Sequence, residues 1–382
     1  MKAMKIILVL IILVIIIGAA TLALYGIGKE EAGKEGNERA VKIGVILPLS
    51  GSQAAYGKGI QEGLETALEE INKNNLAGVN RKMELIYEDH AGEVKNAVSA
   101  AQKLIEADNV AALISAVSQH SLAIAPIAEE SKVVLYTMAS QASALNTAGD
   151  YIFKNDDDLT TLGKGVAELV FESGHKKAGI IYASYNDATV DAANSFKKKF
   201  SELGGEVVAM EGVQKDDSDF RTYLSKISSA SPTAIFINAL TKDSGLILKQ
   251  IMESGLQQKL FANGAVEDLQ VVDVAGAAAE GLVFESFQGV PSPGFINKIQ
   301  GKFGHYPLRW TMEAYDGLRI LATAMSKAPP AAQITSELLK EKLYEVKTYN
   351  GESGAITFDN SGNASRPLLA KIIRDGKFEL NK

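Results

Sequence analysis

Three loops hold the residues whose types and spacing could do chemistry. The first is Ser50-Gly-Ser-Gln-Ala-Ala-Tyr56-Gly57, the second Ser115-Ala-Val-Ser118-Gln-His-Ser121, the third Thr137-Met-Ala139-Ser140-Gln141-Ala-Ser143. Together they offer hydroxyls, amides and backbone groups, but no strong base or activated nucleophile. Hydroxyls and free backbone N–H groups at a helix start can hold an anion without a positive side chain. That inventory suits holding a small carboxylate more than transforming one. The plainer alternative is that these serines only cap helices. Catalytic signatures are missing elsewhere: there is no Gly-x-Ser-x-Gly elbow and no Gly-Lys-Ser/Thr phosphate loop. Gly57-Lys-Gly59-Ile-Gln-Glu-Gly63 has one residue too many for the dinucleotide fingerprint, so its glycines read as loop caps and close helix contacts. No enzyme activity and no cofactor are expected.

The elements that must position these loops are strands and amphipathic helices in alternation. Apolar runs at 41–47, 83–87, 111–114 and 133–136 read as strands, and 57–74, 94–107 and 121–130 as helices. Ile60, Leu64, Ala67, Leu68 and Ile71 share one helical face, and Ala97, Val98, Ala101, Leu104 and Ile105 another. Such βαβ repetition predicts a mostly parallel sheet covered by helices. All three loops leave carboxyl ends of strands, where open α/β sheets bind ligands, so they should converge on one edge.

The pattern restarts after Tyr151-Ile-Phe-Lys. Helices are expected at 160–172, 189–203, 219–229 and 243–254, with strands at 178–182, 206–210, 234–237 and 259–261. A strand at 281–285, a helix at 310–327 and strands at 354–358 and 368–374 complete the chain. The expectation is an α/β protein of two Rossmann-like lobes. Lobe I takes 41–154 plus 285–349 and lobe II 155–284 plus 350–382, with chain crossings near Lys154, Glu285 and Tyr349.

Residues 1–5 are short and basic, and 6–27 carry no charge. A run of about 20 apolar residues can span a bilayer, whereas a secretory signal has a shorter core of roughly 7–15 residues. Residues 1–28 are therefore expected to be a membrane anchor or a signal segment, with Ala19, Ala20 and Ala23 leaving cleavage open. Lys2 and Lys5 place the N-terminus inside and the bulk of the chain outside. Residues 29–40 read as a polar linker. The chain has no cysteine, so it has no disulfide and no thiolate metal site. A net charge of −7 over 382 residues argues against a nucleic-acid surface. His90, His120, His175 and His305 show no metal spacing and read as surface or capping residues. Asp156-Asp157-Asp158 reads as an acidic cluster at a helix N-terminus. Asp359 to Asn363 reads as a polar hairpin turn, lacking the distal Glu of a calcium loop. Trp310, the single tryptophan, starts a helix and either lines a cleft mouth or packs its lobe.

The loops and the two-lobe layout resemble type I periplasmic binding proteins, the Leu/Ile/Val-binding components of branched-chain amino-acid ABC transporters. The resemblance covers essentially everything after Ala40. It rests on 43–57, Tyr87-Glu-Asp-His-Ala-Gly, 97–106, Pro126-Ile-Ala-Glu, Ala279-Glu-Gly-Leu-Val, Glu313-Ala-Tyr-Asp-Gly-Leu and Gly354-Ala-Ile-Thr-Phe-Asp. No single motif is specific; their order and spacing carry the case. The resemblance implies two lobes joined by three hinge crossovers that close over a ligand. It implies that Tyr56 packs on the ligand, that Ser118 bonds its carboxylate and that the Ala139 carbonyl accepts from its ammonium. The chain departs from the pattern at Gln141, where a Thr or Ser is usual and Ser140 or Ser143 would substitute. It departs again within Tyr185-Asn-Asp-Ala, where Asp187 or Ala188 stands at the position of a usual Tyr. The acidic residue that neutralises the ammonium aligns near Gly264, with Glu267 and Asp268 a few residues on.

The resulting expectation is an extracytoplasmic solute-binding protein, membrane-anchored or secreted. It would take a small carboxylate-bearing ligand, an amino acid foremost, and deliver it to ABC permease subunits. A ligand-sensing receptor subunit and a binder of non-amino organic or aromatic acids are the alternatives.

Overall fold

The computed structural model describes residues 39–287, 289 and 291–381. The expected anchor, 1–28, and all but the end of the expected linker, 29–40, lie outside the described residues. Arg39 and Ala40 already belong to the first strand.

The first lobe alternates β1 (Arg39–Leu47), α1 (Ala54–Asn74), β2 (Arg81–Asp89), α2 (Val94–Glu106), β3 (Ala112–Ala116), α3 (Ser118–Glu130), β4 (Val134–Met138) and β5 (Ile152–Lys154). Its strands lie in the order β2-β1-β3-β4-β5. The β1–β3, β3–β4 and β4–β5 pairs are parallel. This order reverses direction between β1 and β3, so the loops after those two strands flank the crevice where such sheets take ligands.

The second lobe repeats the plan. It runs α4 (Leu159–Glu172), β6 (Lys177–Ala183), α5 (Asp187–Glu202), β7 (Glu206–Val213), α6 (Arg221–Ser229), β8 (Ala234–Asn238), α7 (Thr241–Glu253), β9 (Lys259–Ala262), α8 (Leu269–Ala275) and β10 (Val283–Ser286). Its sheet order, β15-β14-β10-β9-β8-β6-β7, contains the same reversal at β6 and β8. The last two strands, β14 (Leu369–Arg374) and β15 (Lys377–Leu380), add an antiparallel edge. Phe196 stacks between Phe200 and Phe236, at 5.2 and 4.9 Å. Burying rings of this size stabilises the lobe by roughly 1.5–3 kcal/mol each.

Between β10 and β14 the chain returns to the first lobe. Helices α9 (Pro293–Phe303), α10 (Arg309–Ser326) and α11 (Ser336–Tyr344) pack their apolar faces with α1 under the first sheet. Two glycines permit the closest approaches. A Cβ on Gly63 would lie 2.2 Å from the Thr311 carbonyl oxygen, and one on Gly57 2.1 Å from that of Pro48. Strands β11 (Thr348–Gly351), β12 (Gly354–Phe358) and β13 (Ala364–Ser365) form a small antiparallel sheet. Ile356 and Ala364 of this sheet belong to the first lobe's core. The stretch just after Tyr349, assigned above to the second lobe, thus packs on the first, and the chain crosses between β13 and β14. Its apolar residues are too few and too short in run to reveal which core they join. The turn after β12 is closed by Asp359, whose Oδ1 accepts from Ser361 and Asn363 N–H at 2.8 and 2.9 Å.

Candidate functional site

The first-lobe loops are tied together by named bonds. Asp89, at the end of β2, accepts from Leu49, Ser50 and Ala91 N–H at 2.9, 3.2 and 2.8 Å, which fixes the loop after β1. That loop feeds α1 and places Tyr56 on its first turn. The Tyr56 hydroxyl donates to the Ala139 carbonyl at 3.1 Å. Burial, and then Glu313 and Asp156, raise the Tyr56 phenol well above its usual range, so it remains a donor. Val117 and Ala139 both sit at positive φ, 70° and 48°. Non-glycine residues held in that region are strained and concentrate at functional sites.

Ser118 opens α3. Its Oγ accepts from Gln141 and Ala142 N–H at 3.1 and 3.2 Å. Both bonds use the hydroxyl as acceptor, which leaves its proton available. The Gln141 side-chain Nε2 is buried and has no partner among the described residues. Two donors on bonded residues therefore face no acceptor among the described residues, and a carboxylate would satisfy both. Ser140 is turned the other way. Its hydroxyl donates to the Met138 carbonyl at 3.1 Å and meets Ser121 Oγ at 2.9 Å, in a fully buried string that continues to Ser115. The Ser143 hydroxyl donates to Asp191 of α5 at 2.5 Å, a direct link to the second lobe.

A cavity of about 710 Å³ opens beside this cluster. Ala55, Lys58, Glu62, Leu308 and Trp310 line it from the first lobe, and Gly264, Ala265, Glu267 and Leu269 from the second. Trp310 thus lines the cleft and also packs: its ring meets Tyr56 at 4.7 Å. Of the residues singled out from the sequence for the ammonium side, Gly264, Glu267 and Asp268 are in the wall. Tyr56, Ser118, Ala139, Ser140 and Gln141 do not line the cavity; they adjoin it through Tyr56, whose ring meets the wall residue Trp310. Asp187, the first residue of α5, is exposed and not part of the wall. Its neighbour Tyr185 donates to Asp243 at 2.5 Å. Glu267 is engaged twice, by Lys371 Nζ at 2.5 Å and by the Ser286 hydroxyl at 2.6 Å.

Two of the four histidines, His90 and His120, are not surface residues: both are completely buried and stack at 3.9 Å, beneath the first and second loops. His90 Nδ1 accepts from Gly92 N–H at 3.1 Å. Burial pushes His90 down to about 4 and lowers His120, so both stay neutral.

Sequence reasoning missed the ion cluster where the chain crosses between lobes. Asp158 does cap α4, accepting from Thr160 and Thr161 N–H. Asp156 and Asp157 do not. Asp156 accepts from Arg309 at 3.0 Å, and Arg309 Nε donates to Glu313 at 2.6 Å. Asp157 accepts from Arg366 at 3.2 Å. The Arg366 guanidinium also lies 3.4 Å from Ser353 Oγ, whose hydroxyl donates to Asp316 at 2.6 Å. All are buried. Burial, and then Asp156, push Glu313 up to about 7 against the pull of the two arginines. Burial pushes Asp157 up to about 6. The one signal in the sequence was three consecutive aspartates directly after a strand.

A protein-family model described as a periplasmic binding protein matches residues 40–376. The chain is 25% identical over 331 residues to the leucine-, isoleucine-, valine-, threonine- and alanine-binding protein of Pseudomonas aeruginosa, covering 85% of this chain and 87% of that one. The crystal structure of a leucine-binding protein from Thermotoga maritima superposes with a TM-score of 0.80 at 29% identity, covering 90% of this chain and 98% of that one. An ABC-transporter solute-binding protein from Rhodopseudomonas palustris, in complex with 3,4-dihydroxybenzoic acid, gives 0.78 at 26% identity, covering 89% and 95%.

Proposed function

We propose a function from one premise: the chain belongs to the periplasmic binding protein family, matched over residues 40–376. It is a solute-binding protein of the branched-chain amino-acid ABC-importer type and acts outside the cytoplasm. It captures a small carboxylate-bearing solute between its lobes and presents it to the membrane subunits of the importer. Residues 1–28 anchor the chain to the membrane or direct its export.

One observation carries the site assignment. The Ser118 hydroxyl proton and the Gln141 amide are donors without acceptors among the described residues, held together by the Gln141 N–H to Ser118 bond. A carboxylate placed there receives two hydrogen bonds, and bonds to a charged group are the strong kind. The cleft walls come from both lobes, so a solute bound between them favours the closed arrangement. The Ser143–Asp191 bond supports this reading, because it joins the third loop to the second lobe at the cleft.

Binding to the folded state must raise its stability. The purified full chain, heated with a panel of carboxylates, should melt higher with at least one of them. Ser118→Ala should weaken binding of that solute by about 1–3 kcal/mol. Because Ser118 also holds two backbone N–H groups, Gln141→Met is the cleaner variant: it removes a donor and leaves those bonds in place. Unchanged affinity in both variants would remove the carboxylate from this position.

A further inference from the structure

Two fully buried, stacked imidazoles lie beneath the loops that hold the solute. Resting on the carboxylate-capture reading above, we propose that the His90–His120 pair is a proton-operated latch. The carboxylate donors keep their geometry only while both rings are neutral, and acid opens the site.

The turn after β2 depends on one ring nitrogen. Ala91 and Gly92 stand at φ 50° and 84°. Consecutive residues in that region need fixed partners, an alanine most of all. Asp89 Oδ1 accepts from Ala91 N–H at 2.8 Å, and His90 Nδ1 accepts from Gly92 N–H at 3.1 Å. A ring nitrogen that accepts carries no proton, so neutral His90 holds its proton on Nε2. That nitrogen is buried with no partner among the described residues. Protonating the ring places a second N–H on Nδ1, facing the Gly92 N–H. Two donors cannot bond each other, and the turn must open.

The turn carries the first loop, and the other ring carries the second. A Cβ on Gly51 would lie 2.9 Å from the Ala91 carbonyl oxygen, so the turn packs directly on the loop after β1. His120 stands two residues beyond Ser118 on α3 and stacks on His90 at 3.9 Å. Its Nδ1 is also buried without a partner among the described residues. A charge on either ring is therefore desolvated, and a charge on one opposes a charge on the other.

The surroundings are weakly charged. Asp89 favours a proton on His90, and Glu93 one on His120, but burial outweighs both. Packed around the rings, α2 presents Asn96, α3 presents Gln119 and the first loop presents Gln53, all uncharged. His90 is lowered from 6.5 to about 4. A base lowered by folding binds fewer protons in the folded state, so stability is complete above 6.5 and is lost as pH falls toward 4.

Nitrogen NMR of the full chain carrying labelled histidine reads the tautomer. At pH 7 His90 should hold its proton on Nε2; a proton on Nδ1 overturns the latch. Hydrogen exchange over a pH series, corrected for the intrinsic rate, then reads the loops. Two amides report: Gly92, and Gln141, whose N–H is bonded to Ser118 Oγ at 3.1 Å. Their protection should fall at least tenfold as the rings titrate, while Leu113 in β3 and Phe236 in β8 stay protected. Protection kept after the rings are charged overturns the latch. So does a loss shared with Leu113 and Phe236, or rings that stay neutral until the chain unfolds. Carboxylate capture is tested by the panel above, so each reading can fail alone.

Two variants separate the acceptor from the ring. His90→Asn keeps an acceptor near the place of Nδ1 and does not ionise. It should protect Gly92 at pH 7 and remove most of the acid step. His90→Phe keeps a stacked ring without the acceptor and should lose Gly92 protection at every pH. An acid step of unchanged size and midpoint in His90→Asn assigns it to another group and overturns the latch.

Discussion

Arg309→Met should destabilise the protein by about 3–5 kcal/mol, the usual cost of removing one partner from a buried ion pair. The reason lies in what stays behind. Arg309 is the direct partner of both Asp156 and Glu313, and all three are at least nine-tenths buried. Methionine fills much of the volume but leaves two carboxylates in a buried crossing. Among the described residues, Arg366 is the other arginine in reach, 3.9 Å from Asp156. Urea unfolding at pH 8 would measure the loss from the midpoint at unchanged slope. Arg309→Met with Asp156→Asn and Glu313→Gln should recover a good part of it, since the stranded charges are then gone. Lys103→Met is the control. Its pair with Glu88 lies at the surface, where solvent screens it, and should contribute little. A loss at Arg309 no larger than at Lys103 would refute the account. The same residue also stacks on Trp310 at 4.8 Å, so the crossing and the cleft wall share a support.

Glu285→Gln should do the reverse and stabilise the protein, in a pH-dependent way. Glu285 sits on β10 against α4, where a Cβ on Gly165 would be 2.1 Å from its Oε2. That oxygen is buried with no hydrogen-bond partner among the described residues. Burial first, then Glu168 and Glu172, push its carboxyl up to about 7. A carboxyl raised above its unfolded value binds more protons in the folded state between that value and about 7. Stability therefore falls as pH rises through this window, and the penalty is complete above it. A tenfold change in proton affinity between the two states is worth about 1.4 kcal/mol. Glutamine, which never ionises, should gain roughly 2–3 kcal/mol at pH 8 and less than about 1 kcal/mol at pH 5. Asp157 and Glu313 titrate in the same direction, so the difference between variant and parent at each pH is the measurement that counts. A variant less stable at pH 8 than at pH 5, relative to the parent, would refute the assignment.

Local pattern carried much of the fold. The strands β1 to β4 and β6 to β9, and the helices between them, follow from apolar faces at two spacings. The elements that escaped were short or weakly patterned: β5 has three residues, α8 seven, β11, β13 and β15 two to four, and α9 and α11 show no long apolar stripe. Such segments owe their structure to the surfaces they cover rather than to their own propensity. The three hydroxyl loops were visible because each follows an apolar strand, and the strand order brings them to one edge. Which hydroxyl faces a ligand was not visible. Ser118 and Ser140 look alike in sequence, yet Ser140 turns into a buried string with Ser121 and Ser115.

Alternation and helical spacing alone thus determined that this chain makes two βα lobes with polar loops at the strand ends. These are short-range properties, legible over a few residues. Whether a charged group is available to a solute was decided only in three dimensions. Glu267 meets Lys371 across 104 positions, Asp156 meets Arg309 across 153, and Asp157 meets Arg366 across 209. A carboxylate's charge is compensated by whatever the fold places within about 4 Å. No periodicity along the chain encodes that neighbour.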